Sequence, residues 1–74
     1  MKSKVAQLLE RYGYTQDAEP AEYVRYWRSE RYSLPVSLIN GIWEFCDDAK
    51  VQRGTGSPVG LRRLELAILR SAKP

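Results

Sequence analysis

The sequence contains no histidine. That removes the side chain most often used as a general base and the commonest transition-metal ligand. Cysteine occurs once, at Cys46. One thiol cannot close an internal disulfide, nor supply the four Cys or His ligands of a structural zinc site. Small secreted domains lean on disulfides, so the composition points to a reducing cytoplasm. No apolar run is long enough to cross a bilayer, and no membrane role is expected. Lys2 and Lys4 are soon followed by Glu10 and Arg11, which leaves no uncharged stretch of signal-peptide length. Internal repeats and low-complexity tracts are also missing.

Motifs that carry chemistry are equally scarce. Asp47 and Asp48 are neighbours, and on a helix neighbours point about 100° apart, which does not make a paired-carboxylate site. No calcium-loop spacing occurs. The loop Arg53-Gly54-Thr55-Gly56-Ser57-Pro58 combines glycines with a helix start, and Arg53 could add a bidentate anion contact. It lacks the terminal Gly-Lys-Ser/Thr of a phosphate loop and reads as a connection. These absences predict no catalytic residue, no metal and no cofactor, and hence a protein that is not an enzyme.

The 74 residues allow one domain, covering residues 1–74. A chain this short buries only roughly 60% of the surface that its unfolded form exposes. At roughly 0.05–0.15 kcal/mol per residue its stability is on the order of 4–11 kcal/mol. The net charge is +3, and it is unevenly placed. Residues 1–48 carry six basic and eight acidic side chains, whereas residues 49–74 carry six basic ones against Glu65 alone. A positive pole of this kind attracts an anionic partner.

Hydrophobic periodicity predicts four helices and no strand, an all-α fold packed as a small bundle. Residues 2–12 place Val5, Leu8, Leu9 and Tyr12 on one stripe, and Gly13 marks a C-terminus of positive φ. Residues 20–32 begin at Pro20, with Val24, Trp27 and Tyr23 on the buried side. In residues 35–53, Val36, Leu38, Ile39, Ile42, Trp43, Phe45, Cys46 and Ala49 cover more than half of a helical wheel. So wide an arc predicts a central apolar third helix, with Cys46 buried and Gly41 allowing a close helix crossing or a local break. Residues 58–73 follow an N-cap at Ser57 and Pro58 at the first helical position, with a loose first turn before Leu61.

Two candidate binding surfaces emerge. On the last helix Leu61, Leu64 and Ile68 face inward, while Arg62, Leu66, Arg70 and Lys73 face outward with Arg63 at their edge. A basic side with an apolar centre suits an acidic-rimmed hydrophobic groove, or a nucleic-acid backbone. The second helix interleaves aromatic and guanidinium groups, the residue types of binding hot spots, with Tyr26 and Arg28 as its exposed contacts. A helix-turn-helix reader is excluded, because the would-be recognition helix is apolar and carries Glu44, Asp47 and Asp48. The leading expectation is a small adaptor or regulatory protein that binds a larger protein partner through its basic C-terminal helix. The alternatives are a nucleic-acid-binding accessory protein and a structural subunit that self-associates.

Overall fold

The computed structural model describes residues 2–16 and 26–74. In chain order the elements are α1 (Lys4–Arg11), β1 (Thr15–Gln16), β2 (Tyr26–Arg28), β3 (Val36–Ile39), β4 (Ile42–Asp47), β5 (Lys50–Gly54) and α2 (Pro58–Arg70). The strands form one antiparallel meander in the order β1-β2-β3-β4-β5. The all-α four-helix bundle is therefore overturned: the architecture is a five-stranded sheet with two helices.

The correction falls mainly on residues 35–53. In place of a central apolar helix they form β3, β4 and β5. A strand exposes alternate residues on opposite faces. Here Val36, Leu38, Trp43 and Phe45 face one way, and Leu38 stands directly opposite Trp43. Ser37, Ile39, Ile42, Glu44 and Cys46 face the other way. Wound on a helix, these two sets merge into the wide apolar arc that suggested a buried third helix. Asn40 and Gly41 are not a helix crossing but the two central residues of the β3–β4 turn. Their φ values of 51° and 77° are those of a type I′ turn, which matches the twist of the paired strands. Asp48 and Ala49, at φ 48° and 67°, turn β4 into β5 in the same way. Cys46 is accordingly exposed rather than buried.

The helix expected over residues 20–32 is corrected where it can be seen. Residues 20–25, with Pro20, Tyr23 and Val24, lie outside the described residues. Residues 26–28 are strand β2, with Trp27 turned toward the core and opposite Val36.

Both terminal helices form as their stripes predict. The Ser3 hydroxyl accepts from the Ala6 N–H at 3.1 Å and caps α1. Gly13 follows α1 at φ 81°. The Ser57 hydroxyl caps α2 by accepting from the Gly60 N–H at 3.1 Å, with Pro58 at the first helical position. α2 stops at Arg70 rather than reaching Lys73. The tail instead runs back along the β2–β3 connection: Tyr32 pairs with Ala72, and the Lys73 N–H donates to the Arg31 carbonyl at 3.0 Å.

Val5, Leu8 and Leu9 of α1 join Tyr14, Val36, Trp43 and Phe45 and then Leu64 and Ile68 of α2 in one buried cluster. The two helices thus share one face of the sheet. Tyr14 is held in it by the hydrogen bond its hydroxyl donates to the Leu34 carbonyl at 2.7 Å, and by a stacked Tyr32 ring at 6.3 Å. Burial pushes the Tyr14 phenol up to about 12 from its usual 10.0. Because the folded chain keeps this proton longer than the unfolded chain, Tyr14 contributes stability below pH 10.0 that is lost as pH rises toward about 12. Alkaline unfolding followed by circular dichroism should show stability falling in that window by about 1.4 kcal/mol per pH unit. Tyr14→Phe should remove this component of the slope, and an unchanged slope would refute the assignment.

Candidate interaction surface on the second helix

The apolar residues of α2 recur on two sides, not one. Leu64 and Ile68 are buried and Leu61 packs against them. On a 100° wheel the opposite side carries Val59, Arg62, Leu66, Leu69 and Arg70, with Arg63 at its margin. Three of these are apolar yet open to solvent: Val59 at 72%, Leu69 at 46% and Leu66 at 37% relative exposure. Leu66 and the arginines were legible in the sequence. Val59 and Leu69 were missed, although the same wheel puts both within about 60° of Leu66.

The cations on this face are held differently. Arg62 lies 3.6 Å from Glu65 one turn on, with 70% of its side chain still exposed. An exposed pair of this kind contributes roughly 0–1 kcal/mol and leaves Arg62 available to a partner. Glu65 is engaged on its other oxygen by Tyr12, whose hydroxyl donates to it at 2.8 Å and ties α1 to α2. That hydrogen bond, with burial second, raises the Tyr12 phenol above its ordinary value. Arg63 folds toward the sheet. Its guanidinium sits 5.4 Å from the Trp43 ring centroid and donates to Gln52 Oε1 at 3.1 Å and to the Arg53 carbonyl at 3.4 Å. Arg70 has no acidic side chain within ion-pair distance among the described residues.

A cleft flanks α2 on each side. The one toward α1 measures about 420 Å³ and is lined by Lys4, Arg11 and Arg62 against Glu65. The other, toward β4 and β5, measures about 260 Å³. The helical layer is therefore a ridge with cationic margins.

The remaining expected contacts lie elsewhere. Tyr26 and Arg28 project from β2 on the sheet face turned away from the helices, with the Arg28 guanidinium 5.5 Å from the Tyr26 ring centroid. Arg53 is on that same face of β5, 3.2 Å from Glu44 across the strand pair. Lys73 lies past the helix, among Arg28, Ser29 and Tyr32. The structure thus gathers Arg62, Arg63, Leu66 and Arg70 on one surface and separates Tyr26, Arg28, Arg53 and Lys73 from it. Lys73 left the set because the helix ends three residues earlier.

Among the described residues no three His, Cys, Asp or Glu side chains stand close enough to hold a metal ion. No helix among them is long and apolar enough to cross a membrane. Comparison with protein-family models, with curated proteins and with solved structures finds no match to this chain.

Proposed function

We propose that the protein is a non-enzymatic adaptor or regulatory module that engages a larger protein partner through the outward side of α2. One observation carries this reading: Val59, Leu66 and Leu69 are exposed along a helix whose other outward positions are Arg62 and Arg70, with Arg63 at the margin. Arginine bordering an apolar centre is the composition of an interface core with a charged rim. A phosphate backbone would use the arginines and leave three apolar side chains in water, so a protein groove with an acidic rim is the better complement. A reducing compartment such as the cytoplasm suits the exposed thiol of Cys46.

The test is affinity capture from the native host with nuclease present. The wild-type chain should retain a partner that the paired substitution Leu66→Glu and Leu69→Glu loses, with affinity down on the order of 100-fold. Val51→Thr, on the far face of the sheet, should retain it. Loss of every partner on nuclease treatment would replace this reading with a nucleic-acid one. Capture indifferent to the paired substitution would end it.

A further inference from the structure

The smaller cleft, between α2 and the β4–β5 hairpin, has a composition of its own. Its helical wall is Arg63, Leu66, Ala67 and Arg70, residues spaced so that they share one side of α2. Its sheet wall comes from Phe45, Asp47 and Gln52. The gap has a clear origin. The β5 residues on the helix-facing side are Lys50, opposite Asp47, Gln52, opposite Phe45, and Gly54, opposite Trp43. Two are polar and the third has no side chain. Trp43 occupies the space beside Gly54, where a Cβ would stand 2.4 Å from its ring. Toward the hairpin tip no large apolar side chain of β5 meets α2, and the space stays open.

The walls select a ligand. Leu66, Ala67 and Phe45 supply apolar surface. Arg63 is pre-organised at one end by its three contacts to Trp43, Gln52 and the Arg53 carbonyl. Arg70, two turns further on, has no acidic partner among the described residues. Two guanidinium groups face a single lining acid, Asp47. At about 260 Å³ the cleft is smaller than the roughly 300–1,000 Å³ of sites for drug-sized ligands. It has room for one side chain and a carboxylate, not for a nucleotide or a large cofactor.

We infer that this cleft takes an anchor from an acidic peptide segment: one leucine- or phenylalanine-sized side chain between Leu66 and Phe45, beside a carboxylate that Arg70 receives. The inference rests on the proposed reading of α2. Leu66 belongs both to the outward side of the helix and to the cleft wall, so a partner lying along α2 crosses the cleft mouth. Charge complementarity sets the anchor's neighbours, because a cationic segment would meet Arg63 and Arg70 with like charge.

The experiment titrates the nitrogen-isotope-labelled full chain with a capped peptide alternating leucine and glutamate, and with its counterpart carrying lysine for glutamate. The glutamate peptide should shift the amides of Gln52, Arg63, Leu66 and Arg70, and the lysine peptide should not. Arg70→Glu should weaken the binding roughly tenfold to a hundredfold, the range of a charge-assisted hydrogen bond. Gln52→Phe, which fills the cleft from a strand position where an aromatic residue is favoured, should abolish the shifts while its thermal unfolding stays cooperative. Shifts confined to Val59 and Leu69, or none with either peptide, would overturn the inference. Capture of the native partner separates the two ideas. If Gln52→Phe retains the partner while the Leu66→Glu and Leu69→Glu pair loses it, the cleft assignment fails and the adaptor reading stands. If both variants retain the partner, the adaptor reading fails and the cleft assignment with it.

Discussion

Trp43→Ala is expected to cost roughly 3–5 kcal/mol, a large fraction of a stability on the order of 4–11 kcal/mol. Trp43 has no exposed surface and is the largest of the fully buried side chains. Its ring stacks on Phe45 with centroids 5.4 Å apart, stands opposite Leu38 on β3, and is roofed by the Arg63 guanidinium. The indole N–H also donates to the Thr55 carbonyl at 3.0 Å, linking the sheet to the loop that starts α2. Removing the ring opens a cavity that neighbours on three elements cannot collapse to fill. In urea denaturation followed by circular dichroism, the variant should show a much reduced midpoint or no native baseline. Trp43→Phe should be milder, because it keeps a stacked ring and loses the hydrogen bond to Thr55, a loss of roughly 1–3 kcal/mol. A Trp43→Ala midpoint close to wild type would mean that this ring does not organise the core.

Gly60→Ala should destabilise the protein, against what helix propensity predicts. In an exposed helix interior, alanine is favoured over glycine by about 1 kcal/mol. At Gly60 a Cβ would stand 2.3 Å from the Thr55 carbonyl oxygen and 3.1 Å from the Thr55 backbone nitrogen. These are backbone atoms and cannot rotate aside. Relief requires the loop before α2 to shift, which pulls the Thr55 carbonyl off the Trp43 indole and strains the Ser57 cap on the Gly60 N–H. A net loss of roughly 1–3 kcal/mol is expected, as for an overpacked core. Gly56→Ala is the control: its Cβ would meet Lys4 and Val5 at 3.6 Å, an ordinary contact, and its midpoint should barely move. Gly60→Ala and Trp43→Phe share the Thr55 carbonyl, so their costs should fail to add by at least about 0.5 kcal/mol. A stabilised Gly60→Ala would show that the close approach to Thr55 is not maintained in solution.

Trp43 and Gly60 both meet the junction between Thr55 and α2, and that junction also positions the proposed binding surface. Thr55 anchors the loop, Ser57 caps the helix, and the helix then presents Arg62, Leu66 and Arg70 outward. A variant that loosens the junction should therefore weaken partner binding without touching a contact residue. Binding assays with the Leu66 and Leu69 variants are best read beside unfolding data for this reason.

Much of this surface could be read from residue order alone. The Leu61, Leu64 and Ile68 stripe, the Ser57-Pro58 start and the outward Arg62, Leu66 and Arg70 all follow from local spacing. So do Val5, Leu8 and Leu9 ahead of Gly13. An α-helix satisfies its backbone within one segment, so local order is enough to specify it. The middle of the chain obeys no such locality. Val36, Leu38, Trp43 and Phe45 fit both a two-residue and a broad helical period, and only pairing across the Asn40-Gly41 turn separates the two. That dipeptide between apolar runs is itself a hairpin signal, which a helical wheel does not register. Asp48-Ala49 offers no such cue, because nothing in alanine announces a positive φ.

What residue order settled, then, is the pair of helices and the chemistry of their sides, since those depend on neighbours three and four positions apart. Strand pairing, the seating of Arg63 on Trp43, the cleft beside Gln52 and the return of Lys73 to Arg31 arose only on folding. Each joins residues distant in the chain, and its geometry is set by the packing of the whole core rather than by any one segment.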